Sequence, residues 1–282
     1  MNSHPSLAQA LPRPRVAPVA PEPDPVAWSS ADLHHAVESD QISLHYQPVV
    51  SLSGGGVRGA EALLRWRHPN LGTLPAGNFL AAATRCGALS RLLPRIINDA
   101  CSTAAAWRRQ SGGRRFIAVN IDPHQFASEP VFDLVLSGLD SSGAKPDSLV
   151  IEVTERADES HDWAAIGTVQ RLQEVGVGIA LDDFGTGHSS LARLRKMPAQ
   201  TLKIDKQFVQ SVAIDASDRI IVANITQLAA ALEIDCVAEG VETADQAKVL
   251  SDLGCKAGQG FLWSGAVPAE QILMLTSSTA HR

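Results

Sequence analysis

With 282 residues, 45% of them hydrophobic and 19% charged, the chain suits one large domain or two small ones and has an ordinary globular balance. Its net charge of -6 disfavours a non-specific nucleic-acid binder held by phosphate contacts, yet allows an acidic pocket loaded with metal. Cys86, Cys101, Cys236 and Cys255 show no CxxC spacing, and no apolar run is long enough to span a bilayer, so a zinc ribbon, a disulfide scaffold and a membrane segment are disfavoured and a cytoplasmic location is expected.

The chain opens on Pro5, Pro12, Pro14, Pro18, Pro21, Pro23 and Pro25 with no apolar core of signal-peptide type. Proline at that density builds neither a helix nor a central strand, so residues 1–28 read as a disordered or extended leader or linker and residues 29–282 as the globular part. Ser30 can cap a helix over Ala31–Ser39. Ile42–Val50 reads as a strand that should end or turn irregular at Pro48. Three glycines, Gly54 to Gly56, then lead into a strand over Val57–Trp66, which makes the first pairing an antiparallel hairpin.

Beyond that point helices and strands alternate. Helices are expected over Asn78–Cys86 and Leu92–Gln110, a strand over Arg115–Ile121, a helix over Val131–Leu139 and a strand over Leu149–Thr154. Trp163–Val175 is helical and stopped by Gly176. A buried strand over Val177–Leu181 ends abruptly at Asp182 and Asp183, followed by the loop Gly185-Thr186-Gly187 and a short helix over Leu191–Lys196. Thr201–Ile204 is a strand. Asp218–Leu232 is an amphipathic helix capped by Ser217, with Ile221, Ile225, Leu228 and Leu232 on one stripe. Asp235–Ala238 is a strand, Thr243 and Gln246 form a capping box for a helix to Leu253, and Ala257–Leu262 is the last strand.

Alternation of this kind implies parallel pairing with helical crossovers. The expected class is α/β, a closed (β/α)8 TIM-like barrel with an antiparallel first strand. An open doubly wound sheet competes, but it would want a glycine-rich fingerprint after its first strand, and none is there.

In such a barrel, chemistry sits at the C-terminal strand ends. Those ends are rich in oxygen donors: Glu61 in the second strand, Asn120 ending the third, Glu152 and Glu155 at the fourth, and Asp182 and Asp183 at the fifth. Lys203 and Asp205 flank the end of the sixth, Glu239 and Glu242 follow the seventh, and Gln259 lies in the eighth. Singly, each has an ordinary explanation as a surface charge or turn former. Surface charges, however, have no reason to recur at the same end of successive strands. Carboxylates and an amide oxygen, without Cys or His at ligand spacing, suit hard cations such as Mg²⁺ or Mn²⁺ rather than zinc. Glu61, Glu152, Asp182, Asp183 and Glu239 carry too much charge for one divalent ion and would balance two, an arrangement suited to displacement at phosphorus. Lys203 could hold the attacking water or a phosphate oxygen.

Other patterns carry less. Asp183-Phe184-Gly185 imitates the kinase metal-binding triplet without a catalytic or ATP loop to accompany it. The run Ile179–Asp183 imitates a Walker B strand without a GxxxxGK[ST]. His68 and His188 read as packing or loop residues, and Trp66, Trp107, Trp163 and Trp263 as core and helix packing.

The motifs, in order, resemble the EAL domain family, bacterial phosphodiesterases of cyclic di-GMP. Glu61-Ala62-Leu63 lies within GAEALLRWRHP, accompanied by YQP (Tyr46–Pro48), AVN (Ala118–Asn120), IEVTE (Ile151–Glu155), LDDFGTG, LKID (Leu202–Asp205), VAEGVE (Val237–Glu242) and QGF (Gln259–Phe261). The resemblance runs from about Ser29 to Pro268. It implies a barrel with two Mg²⁺ or Mn²⁺ ions: Glu61, Asn120, Glu152 and Asp182 on the first, with Asp182 bridging to a second completed by Asp183 and Glu239. It makes Lys203 and Gln259 the groups that position water, and Gln47, Arg65 and Asp205 substrate contacts. It further implies that Glu155 and Glu242 support the loop Asp183–Ser190, and that this loop and its neighbouring helix form a homodimer contact. The product it implies is linear pGpG. The chain departs from the family pattern at Asp122, His188, Thr84, Arg85 and Gly265-Ala266, none of them an implied metal or water ligand.

Three functions follow for comparison: an active phosphodiesterase, a non-enzymatic receptor that binds the dinucleotide and signals to a protein partner, and an enolase-like lyase with Lys203 as base. The receptors usually lack some metal ligands, and the lyases carry a capping domain. No GGDEF motif or sensor block is visible, so a regulatory partner is left open.

Overall fold

A computed structural model describes residues 28–154, 159–185 and 194–275. The leader up to residue 27, Glu155 and loop residues 186–193 lie outside the described residues. Of the helix expected over Leu191–Lys196, residues 194–196 are described, and they are helical.

Nine strands form one sheet: β1 (Ile42–Ser51), β2 (Val57–His68), β3 (Gly72–Pro75), β4 (Phe116–Ile121), β5 (Leu149–Thr154), β6 (Gly178–Phe184), β7 (Thr201–Ile204), β8 (Asp235–Ala238) and β9 (Ala257–Gly258). From β2 through β4, β5, β6, β7 and β8 to β9 each neighbour is parallel. β1 lies antiparallel to both β2 and β9 and closes the ring, while β3 hangs outside it as a hairpin on β2. The fold is therefore a mixed α/β closed eight-strand barrel.

Pro48 does not end β1. Tyr46 exchanges both backbone hydrogen bonds with Val267, so its peptide edge faces away from β2. Two residues on, Pro48 turns the same edge outward. Direct pairing with β9 covers Val50 and Ser51, so the missing N–H of Pro48 falls in the gap between that pairing and Val267.

Two apolar clusters divide the interior. The larger lies between the barrel wall and its helices, and includes Ile117, Ile151, Ile179, Leu202 and the facing Ile97, Val135, Val169 and Leu250. The smaller lies inside the barrel: Val49, Val237 and Ala257, with Phe116 packed against them. Gly59 is required beside that plug, because a Cβ there would sit 2.6 Å from the Phe116 ring.

Several boundaries differ from expectation. Ser29, not Ser30, caps the first helix, and its side chain forms a reciprocal capping box with Asp32. Asp215, not Ser217, caps the helix Ala216–Ala231, its Oδ1 accepting from the backbone N–H groups of Ser217 (2.7 Å) and Asp218 (3.1 Å). That helix buries Val222, Ile225, Thr226 and Ala229, while Ile221 and Leu232 of the expected stripe are exposed. Ile225 of that stripe stays inside, and the face it shares with Val222, Thr226 and Ala229 packs on β7 and β8. The last strand is two residues long, not six. After Gly258 the carbonyl of Gln259 accepts from Val241 N–H (3.0 Å), which pulls the chain out of the barrel wall. Hairpin strand β3 and the helix Pro123–Ser128 were not expected from the pattern. Asp122 caps the latter, accepting from His124 N–H at 2.8 Å, so this departure from the family's usual Ser keeps a capping oxygen.

Candidate active site

Parallel strands deliver their C-terminal ends to one mouth, and the register decides which side chains meet there. Asn120 of β4 stands beside Glu152 of β5, and Thr154 of β5 beside Asp182 of β6. Gln47 of antiparallel β1 stands opposite Glu61 of β2. Lys203 comes from β7, while Glu239 and Gln259 follow immediately after β8 and β9.

Lys203, 2% exposed, is the hub. Its ammonium donates to Glu152 Oε2 at 2.6 Å and lies 2.5 Å from Glu239 Oε1, 3.2 Å from Asp182 Oδ1 and 3.5 Å from Glu61 Oε2. Burial pulls the lysine pKa down, but Glu152, Glu239, Glu61 and Asp182 together hold it well above the usual lysine range. An ammonium has three donors, so it cannot satisfy four carboxylates. Burial raises Glu152 well above the ordinary carboxylate range, against the pull of Lys203. Burial likewise pushes Glu239 up to about 8, with Asp182 and Glu61 adding to the shift and Lys203 opposing it. These carboxylates lack enough positive charge to be comfortable ionised.

The sequence suggested that β6 stops at the two aspartates. Instead it runs through them to Phe184, with its register against β7 shifted between Leu181 and Phe184. Asp183 takes the left-handed conformation, φ 55°. Successive side chains of a regular strand point to opposite faces, and an irregularity of this kind re-aims one of them. As a result Asp182, Asp183 and Glu239 each offer an oxygen within 4.8 Å of the others. Aspartate tolerates the left-handed region better than most residues, and such outliers gather at functional sites.

An amide chain completes the mouth. The Ser264 carbonyl accepts from Gln47 Nε2 (3.0 Å), Gln47 Oε1 accepts from Gln259 Nε2 (3.1 Å), and the same Nε2 donates to Glu61 Oε2 (2.6 Å). Both donors of Gln259 are thereby used, which leaves its Oε1 as an acceptor. Asn120 Nδ2 donates to Glu61 Oε1 (2.6 Å), leaving Oδ1 as its remaining ligand atom. Ser264 was not singled out in the sequence; it contributes a backbone carbonyl, which no side-chain pattern announces. Gly260 permits the adjoining turn: a Cβ there would lie 2.1 Å from the Val241 carbonyl oxygen.

Other expected residues stand farther from the hub. Half-buried Arg65 donates to the Leu64 carbonyl (2.9 Å), and burial lowers its pKa against the opposing effect of Glu61. Asp205 caps the helix Lys206–Val209, its Oδ1 accepting from Gln207 N–H (2.7 Å). Glu242 is exposed. Its backbone N–H donates to Gln246 in the capping box of the next helix.

The residues present suit a hard divalent cation. Asp182 Oδ1, Glu239 Oε1 and Gln259 Oε1 are buried without a hydrogen bond, the first two lying near Lys203 but off a hydrogen-bond line. Asp182 and Glu239, which with Asp183 bring oxygens within 4.8 Å of one another, are groups such an ion would satisfy. Among the described residues no helix is long and apolar enough to cross a membrane.

Comparison with known proteins agrees with this geometry. The family model described as EAL domain matches residues 30–266. The bifunctional diguanylate cyclase/cyclic di-GMP phosphodiesterase MucR of Pseudomonas aeruginosa is 40% identical over 86% of this chain and 35% of its own length. The cyclic di-GMP phosphodiesterase RocR of the same species is 34% identical over 87% of this chain and 62% of its own. A solved PaMucR phosphodiesterase in complex with c-di-GMP superposes with a TM-score of 0.81 at 40% identity, covering 86% of this chain and 98% of that one. The chain thus spans about a third of the length of MucR, in the part that carries this barrel. The chain belongs to the EAL domain family.

Proposed function

We propose that this chain hydrolyses cyclic di-GMP to linear pGpG with the help of two Mg²⁺ or Mn²⁺ ions. The observation that carries the reading is the convergence of Glu61, Glu152, Asp182 and Glu239 on buried Lys203, with Asp183 beside them. Glu61, Asn120, Glu152 and Asp182 would hold one ion, and Asp182, Asp183 and Glu239 the other. When bound, the ions supply Lewis-acid stabilisation of the charge developing at phosphorus and make water acidic enough to attack at neutral pH.

The chain's own groups orient that attack. Lys203, kept protonated by the surrounding carboxylates, donates to the attacking water or to a phosphate oxygen. Gln259 Oε1 accepts from the same water, its amide held in that orientation by Gln47 and Glu61. Arg65 grips a non-bridging phosphate oxygen, and Gln47 and Asp205 contact the dinucleotide. Water adds to phosphorus, the bond to the ribose 3′ oxygen breaks, and the proton that the water loses ends on that oxygen. Glu155 and Glu242 steady the loop Asp183–Ser190, through which two copies pair. Residues 29–282 act as one domain in the cytoplasm.

The test is hydrolysis of cyclic di-GMP by the purified chain with Mg²⁺, with Mn²⁺ and with chelator, the product being identified by mass. Metal-dependent pGpG is expected. Tight calorimetric binding with no product over hours would favour the receptor alternative.

A further inference from the structure

The mouth opposite the carboxylates opens into a cavity of about 490 Å³. Its lining comes from the first residues of the parallel strands, Phe116 of β4, Gly178 of β6, Thr201 of β7 and Asp235 of β8, and from Val49 near the end of antiparallel β1. It extends inward as far as Glu152 and Lys203. Barrel interiors of this kind are normally filled by layers of bulky side chains. Here β6 contributes Gly178 and Ala180 to the lining. A space of this volume lies within the size range of small-molecule sites.

Its rim is basic. Arg58, Arg114 and Arg115 line it, with Asp147 and Asp235 as the rim acids. Arg58 meets Asp235 at 2.9 Å. Asp147 is shared between Arg114 (2.8 Å) and Arg108 (2.7 Å), so one carboxylate answers two guanidiniums. A guanidinium is a five-donor fork, and one carboxylate contact engages only part of it. Below the rim the wall is apolar: Val49, Phe116 and Val237.

We propose that this cavity is a second ligand site, for a small organic anion whose phosphate or carboxylate head is held at the Arg58–Arg114–Arg115 rim and whose apolar, ring-sized body packs against Val49, Phe116 and Val237. The guanidinium donors that single carboxylate contacts leave on Arg58 and Arg114 select the charge, and the apolar wall below them selects an organic body over an inorganic ion. The site needs neither metal nor the dinucleotide.

Calorimetry on the full, chelator-treated chain tests it with phenyl phosphate, with benzoate and with neutral benzyl alcohol. Saturable one-to-one binding of an aryl anion is expected, and whichever anion binds identifies the head group. Arg114→Glu should weaken it by about tenfold or more, since it reverses a charge-assisted contact. That side chain is 79% exposed, so the variant is expected to fold. Thr201→Phe, which fills the cavity, should abolish binding, with circular dichroism reporting the fold. Absence of saturable binding by both anions, unchanged affinity in Arg114→Glu, or equal binding of benzyl alcohol would overturn the proposal.

Discussion

The two mouths of this barrel are built from the same strands and carry opposite chemistry. At the C-terminal mouth, carboxylates from β2, β5, β6 and the end of β8 crowd around one lysine and leave oxygens without hydrogen bonds. At the other, guanidiniums outnumber the carboxylates beside them, and those pairs are partly open to water. The wall between barrel and helices is mainly apolar and distinguishes neither end. The fold therefore supplies two rims, and a few side chains at strand ends decide what each attracts. Burial sets the stakes: the same kind of ion pair is strongly coupled at the closed mouth and weak at the open one.

The largest effect should come from removing the hub. Lys203→Ala is expected to lower kcat by about 100- to 1,000-fold, the loss typical of one preorganised donor. It should also destabilise the metal-free protein by about 3–5 kcal/mol in denaturant titration, because buried carboxylates lose their counter-charge. Near-normal turnover in this variant would remove Lys203 from the mechanism. Next comes Gly260→Ala, whose Cβ would overlap the Val241 carbonyl. A stability loss of at least about 2 kcal/mol is expected, along with a fall in activity as Gln259 shifts. An unchanged melting curve would show that the turn relaxes freely.

Gln47→Leu sharpens the contrast within the acidic mouth. Without its amide Gln259 loses one of the two acceptors that orient it, and kcat should fall about tenfold, the cost of one oriented hydrogen bond. An effect confined to KM would make Gln47 a substrate contact alone. The smallest effect is expected at the opposite mouth. Arg58→Gln removes an ion pair whose side chains are each 41% exposed, so stability should change by less than about 1 kcal/mol and turnover by less than about twofold. A large loss of turnover would show that the two mouths are coupled.

Much of this was legible in the sequence because short apolar runs between turn residues leave little choice. β5, β7 and β8 lie where the pattern put them. The carboxylates stood out by recurring at strand ends, and the fold brings Glu61, Glu152, Asp182 and Glu239 to one lysine. What escaped depends on geometry that residue types do not encode alone. The irregularity at Asp183 turns on one dihedral. β3 is four residues bounded by Gly72 and Pro75, too short to show a period. The brevity of β9 follows from where one carbonyl finds its donor. Arg58, Arg114 and Arg115 look like scattered surface charges until closure of the ring sets them around one opening.

Crystals of the chain grown with Mn²⁺ and cyclic di-GMP, measured for anomalous scattering at the manganese edge, test the central claim most directly. Two peaks are predicted at the C-terminal mouth, sharing Asp182, with Glu61, Asn120 and Glu152 on one and Asp183 and Glu239 on the other. A well-ordered dinucleotide at that mouth with no anomalous peak beside those oxygens would contradict it.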